Sequence, residues 1–178
     1  TYYVAVVDTG NYNVAPQSLN YFTSSPAIHN AYFNTILQTD SLNDFAFQSN
    51  GTINDLCITI SPATPFRAGF NATYVIHYEN VGNTIINNCS VIFLPHPLVS
   101  YVGSSTAPFS VFPDSVIWNI GVLAPFRSGN IVVTVNVQVG TPIGTLINSG
   151  VRIEPVAGDA NPACNTHYWE VITTGAVD

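Results

Sequence analysis

Nucleophilic and acid–base chemistry needs a nucleophile, a base and an orienting group within hydrogen-bond reach of one another. The residues that could supply them are four histidines (His29, His77, His96, His167), three cysteines (Cys57, Cys89, Cys164) and ten carboxylates. The histidines sit in four unrelated contexts, and no GxSxG elbow, HExxH pair or phosphate-cradling glycine loop occurs. Most carboxylates fall in turn-forming runs, which argues against a pair flanking a glycosidic bond. The cysteines lack the CxxC spacing of a zinc site. The reading is therefore of a non-enzyme, with no catalytic residue, no cofactor and no metal. The loop Ala157-Gly158-Asp159-Ala160-Asn161, with Glu154, could offer oxygens to calcium. Without a dense acidic ladder, an Asx-type turn explains it better. Trp118 and Trp169 are either sugar-stacking platforms or, as mid-strand tryptophans usually are, core.

Charge removes whole classes of partner. Arg67, Arg127 and Arg152 are the only basic residues besides histidine, lysine is absent, and the net charge is −7. Such a chain offers no cationic face to a phosphate backbone, which excludes nucleic acid, or to an anionic bilayer. No run approaches the roughly 18 apolar residues of a membrane span, and no charged-then-apolar leader is seen. Charged residues are 7% of the chain and hydrophobic ones 47%, against about 25% charged in an ordinary domain. Asn, Thr, Ser and Gly must then form the surface. Together with Val, Ile, Tyr and Phe they favour strands and turns. This uncharged, lysine-free composition suggests an exported protein, and export fits a disulfide. It also forbids a Lys–Asn isopeptide bond within the chain.

The elements that would position these residues are strands. Period-2 alternation recurs between Gly, Pro and Asn punctuation, and no stretch sustains a 3.6-residue period. A first series is expected at Tyr2–Val7, Leu19–Phe22, Tyr32–Leu37 and Asp44–Phe47. After the turn Ser49-Asn50-Gly51-Thr52 a second series follows at Leu56–Ser61, Asn71–Tyr78, Cys89–Leu94 and Val99–Val102. It continues through Val116–Ile120, Asn130–Val139, Leu146–Pro155 and His167–Thr174. Turn signals every 8–15 residues over the second series are the signature of a β-sandwich. In Ile131–Val137 positions 131, 133, 135 and 137 are all apolar, one face packed and one wet. The chain is thus read as all-β: an immunoglobulin-like β-sandwich over 54–178, preceded by a partial β-sandwich segment over 1–50. Three or four strands without cysteine or metal cannot bury both faces of a sheet. Thr1–Val4 reads as mid-strand, so the chain is expected to be a processed or excerpted part of something longer.

An ordered set of motifs supports this division. It runs Asp55-Leu56-Cys57-Ile58-Thr59-Ile60, Phe66–Tyr74, Tyr78-Glu79-Asn80-Val81-Gly82-Asn83-Thr84 and Trp118–Pro125. It closes with Pro155–Asn165, Trp169-Glu170-Val171 and Thr174-Gly175. The set resembles the conserved-repeat, immunoglobulin-like domain near the C-terminus of large Bacteroidetes surface proteins exported by the type IX pathway. The first segment, through Thr1–Val4, Tyr12 and Asp44–Phe47, is similar to the closing strands of a prealbumin-like adhesin repeat. The resemblance implies an extracellular, cell-surface location and a structural or adhesive role. In that sandwich type the first strand runs beside the last, which would pair Cys57 with Cys164. Cys89–Cys164 is the alternative pair, and three buried thiols a third reading. The resemblance also implies O-glycosylation at Asp-Ser-apolar patterns, making Ser41 and Ser115 candidates.

A half-sandwich leaves strand edges and an apolar face uncovered. Pairing with the next copy would cover both and, between unlike surfaces, would build a fibre. The candidate self-assembly residues are Tyr2, Val4, Val6, Phe33 and Phe47. The expected partner is accordingly a further copy, or neighbouring domains of one long chain. The alternative function is a carbohydrate-binding or spacer module, with a glycan as ligand.

Overall fold

The computed structural model describes residues 5–41 and 43–175. Tyr2 and Val4 lie outside the described residues, as does Leu42 of the Asp40-Ser41-Leu42 pattern. The chain divides into two compact units, Thr1–Thr52 and Ile53–Asp178.

The first unit holds two separate two-stranded antiparallel ribbons. Strand β1 (Gly10–Val14) pairs with β3 (His29–Phe33), and β2 (Phe22–Ser25) pairs with β4 (Ala46–Ser49). The strands are displaced from their expected positions. Residues 5–7 carry no strand, and β1 begins at Gly10, beyond the expected end of the first strand at Val7. Asn11 and Asn13 alternate with Tyr12 and Val14, so β1 has a proper period of 2. Its solvent face is built of the same Asn residues that elsewhere mark turns, which hides it. Conversely, Ile36 and Leu37 end no strand: Leu37 sits at φ 67° and is almost wholly exposed. Tyr12 packs edge-on to Phe33 within the β1–β3 ribbon, and His29 of β3 packs edge-on to Phe45, which precedes β4.

The second unit is a two-sheet sandwich. Its strands are β5 (Leu56–Pro62), β6 (Asn71–Asn80), β7 (Ile86–Leu94), β8 (Val99–Ser104) and β9 (Ser110–Val111). They continue as β10 (Val116–Leu123), β11 (Ser128–Val137), β12 (Leu146–Glu154) and β13 (Thr166–Ile172). One sheet has the order β5-β6-β11-β8 and the other β13-β12-β7-β10-β9. The first reproduces the A-B-E-D order of an immunoglobulin sandwich, and β13-β12-β7 its G-F-C order. Apolar alternation explains the packing. Leu56, Ile58 and Ile60 of β5, Tyr74 and Ile76 of β6, and Ile131, Val133, Val135 and Val137 of β11 point inward from one sheet. Val91 and Phe93 of β7, Val116 and Trp118 of β10, and Ile147, Val151 and Ile153 of β12 meet them from the other. Each such side chain, once buried, contributes about 1.5–3 kcal/mol of transfer free energy. The sandwich interior is where this chain's stability resides.

Candidate functional site

The richest polar constellation lies where the second unit begins, and it is built from the motifs singled out in the sequence. Asn80, at the end of β6, is buried. Its amide nitrogen donates to the carbonyls of Thr84 (2.7 Å) and Leu123 (2.9 Å), and its oxygen accepts from the Gly82 amide (3.0 Å). One side chain thus satisfies three backbone groups on two hairpins. The hairpin it shapes grips the segment leading into β5. Val81 and Gly82 amides donate to the Asp55 carbonyl at 2.9 and 3.1 Å, and Asn83 to Ile53 at 3.0 Å. Gly82 is required here by space: a Cβ would stand 2.6 Å from the Ile53 oxygen and 2.7 Å from the Asp55 nitrogen, both backbone.

The loop read as a calcium candidate closes the same segment from the other side. Asp159 Oδ2 accepts from the Leu56 amide (2.8 Å) and from Asn165 Nδ2 (3.2 Å), and its Oδ1 accepts from the Asn161 amide two residues on (2.9 Å). That last bond is an Asx turn. Glu154 turns to Arg152 (3.0 Å) and the Val156 amide (3.2 Å). The arrangement is a clamp on β5. A disulfide between Cys57 and Cys164, across a sequence separation of 107, completes it. Cys89 is free and fully buried in the core, where burial pushes its thiol pKa up, partly offset by a hydrogen bond to the Leu123 backbone.

The four histidines remain in four places, each bonded locally. His29 Nε2 lies 2.8 Å from the Asp44 carbonyl, and His77 Nδ1 lies 2.8 Å from Asn130 Oδ1. His96 Nδ1 accepts from the Leu98 amide (3.1 Å). His167 Nδ1 accepts from the Ile60 amide (3.1 Å), joining β13 of one sheet to β5 of the other. The sequence marked these residues as chemically able but could not reveal this edge-sealing use of His167, because Ile60 is 107 positions away.

Trp118 is core: fully buried, its Nε1 donates to Ser104 Oγ (3.2 Å) and the Thr106 carbonyl (3.0 Å). Trp169 is 41% exposed on β13, beside Tyr168 at 57%. Consecutive strand residues face opposite ways, so these two do not form one aromatic row. Ser41 is exposed, and Ser115 is half-buried in a turn with its hydroxyl donating to Asp114 Oδ1 (3.2 Å). Of the self-assembly candidates that are described, Val6 and Phe33 share a shallow cleft with Ile36 and Leu37, while Phe47 stands on the other ribbon. An open depression of the second unit is lined by Pro97, Leu98, Val99, Ser100, Asn136, Gln138 and Val139, with no ionisable side chain in that lining. No helix among the described residues is long and apolar enough to cross a membrane.

Strand order and core together define an all-β chain with an immunoglobulin-like β-sandwich. No protein-family model matches it, and no curated protein does. Similar solved structures include the CARDB domain of a Pyrococcus furiosus protein, at 13% identity and TM-score 0.48, over 70% of this chain and 98% of that one. A cohesin module from a Clostridium perfringens family 33 glycoside hydrolase is similar at 13% identity and TM-score 0.46, over 71% and 100%. BcpA, the major pilin subunit of Bacillus cereus, is similar at 13% identity and TM-score 0.46, over 94% of this chain and 56% of that one.

Proposed function

We propose that this chain is a non-enzymatic structural or adhesive module of an extracellular surface protein. More specifically, it is a filament subunit joined through its first unit. The observation that carries this reading is the state of the first unit's apolar side chains. Ala31 is the one buried hydrophobic residue among those described there, whereas Val7, Ile28, Tyr32, Ile36 and Leu37 are each more than half exposed. Exposed apolar surface of this kind is what a second copy would cover. The disulfide supports an oxidising, extracellular location. The structural employment of every histidine and of Asp159 supports a role without catalysis. The motif resemblance supports a further reading of the protein as one of the type IX-secreted Bacteroidetes surface proteins.

Negative-stain electron microscopy of the native protein, with its mass in solution, tests the reading. Fibres with an axial repeat near one or two domain lengths are expected, and Val6→Asp or Phe47→Asp should shorten or abolish them. A monomer at all concentrations, unchanged by either substitution, would leave a spacer module and refute the filament.

A further inference from the structure

The turn Ser49-Asn50-Gly51-Thr52 was read from sequence as punctuation, yet its chemistry exceeds that role. Asn50 and Gly51 form the chain's single Asn-Gly step. Both residues are exposed, immediately after β4 and just before the boundary between the units. Gly51 sits at φ 92°, in the region that favours glycine, with nothing within 4 Å of where a Cβ would be. Thr23 Oγ1 donates to Asn50 Oδ1 at 2.8 Å. That oxygen is the atom on which negative charge develops if the Asn50 side-chain carbonyl is attacked. A donor already aimed at a developing oxyanion stabilises the transition state.

We propose that Asn50–Gly51 is a self-modification site at which the chain converts Asn50 to aspartyl and isoaspartyl forms, with Thr23 as its positioning residue. The Gly51 amide nitrogen, once deprotonated by base, attacks Asn50 Cγ. The new C–N bond closes a succinimide, the Cγ–Nδ2 bond breaks, and ammonia leaves. Water then opens the ring at either carbonyl, so the sum is Asn plus water giving Asp or isoAsp plus ammonia. No oxidant or cofactor enters. Opening toward isoAsp routes the main chain through the former side chain and adds one carbon to the backbone beside the unit boundary. Either product adds a negative charge to a unit that holds Asp8, Asp40 and Asp44 and no Lys or Arg.

The test is incubation of the full chain at neutral and mildly alkaline pH, followed by anion exchange and peptide mapping with isoaspartate detection. A species more negative by one charge should accumulate, heavier by the difference between OH and NH2, with the change confined to Asn50. Asn148, which precedes Ser149 inside β12, should stay an amide. The rate should rise with pH. Thr23→Val should slow it roughly fivefold, the effect of one neutral hydrogen bond on a barrier, and Thr23→Ser should restore it. Asn50→Gln should abolish it. The proposal fails if Asn50 persists in the native chain while the urea-unfolded chain deamidates there. It also fails if Thr23→Val reacts as fast as the parent.

Discussion

Both units are built from antiparallel strands and end in opposite states. In the second, alternating strands meet across two sheets and bury twenty-two core side chains, Trp118, Tyr74 and Phe93 among them. In the first, the same alternation produces two ribbons that bury little, and its apolar residues remain in water. Composition separates them in part, since the first unit holds no Cys, Trp or Arg and proportionally fewer Val and Ile. The difference lies in closure: a strand's apolar face stabilises only when an opposing sheet covers it. The second unit also fixes its edge, with the Asp159 and Asn80 clamps, the disulfide and His167 all bearing on β5 or the segment leading into it. In the first unit the described side-chain bonds include exposed ones such as Thr23 to Asn50 and His29 to Asp44.

Substitutions should separate the two units by the stability each loses, beginning where the loss is greatest. Trp118→Ala empties the sandwich core and should cost about 3–5 kcal/mol in urea unfolding, with Trp169 left as the fluorescent reporter. Replacing Cys57 and Cys164 together by Ser should cost about 2–5 kcal/mol, since the loop they close is long. Asn80→Ala strands two carbonyls and an amide away from their partner and should cost roughly 2 kcal/mol. A smaller effect is expected from alkali. Burial raises Tyr74 above its ordinary 10.0, partly offset by its Ser149 hydrogen bond, and raises Cys89 above 9.0. Both groups are neutral when protonated, so the unfolded chain ionises first as pH rises. Stability from these two should be constant below pH 9 and fall above it, and Cys89→Ala should delay the onset. The smallest change should follow Phe47→Ala in the dilute monomer, below about 1 kcal/mol because that side chain is already 39% exposed. A loss there as large as that of Trp118→Ala would show that the first unit has a packed core of its own.

How much of this was legible depended on the range of the cause. The long strands of the sandwich announce themselves because burial and the period of 2 act within the strand: Ile131, Val133, Val135 and Val137 are read directly as core. The motif around Asn80 and Gly82 was visible as a pattern, but its purpose was not, since it satisfies carbonyls from Leu123 and crowds the backbone at Ile53. The two-residue β9 gave no periodic signal at all, its pairing being imposed by β10. In the first unit β1 was missed for a related reason. With little core to select apolar residues, its outer positions are Asn, and local turn chemistry outweighs the strand pattern.

The most direct test of the central claim is amide hydrogen exchange of the full chain as a function of its concentration. The account predicts that β6, β7, β11 and β12 are strongly protected at every concentration. The ribbon amides of Gly10–Val14, His29–Phe33 and Ala46–Ser49 should exchange quickly in the dilute monomer and become protected as copies associate. Ribbons as slow to exchange as the sandwich in a dilute monomer would contradict it, because the first unit would then be complete without a partner.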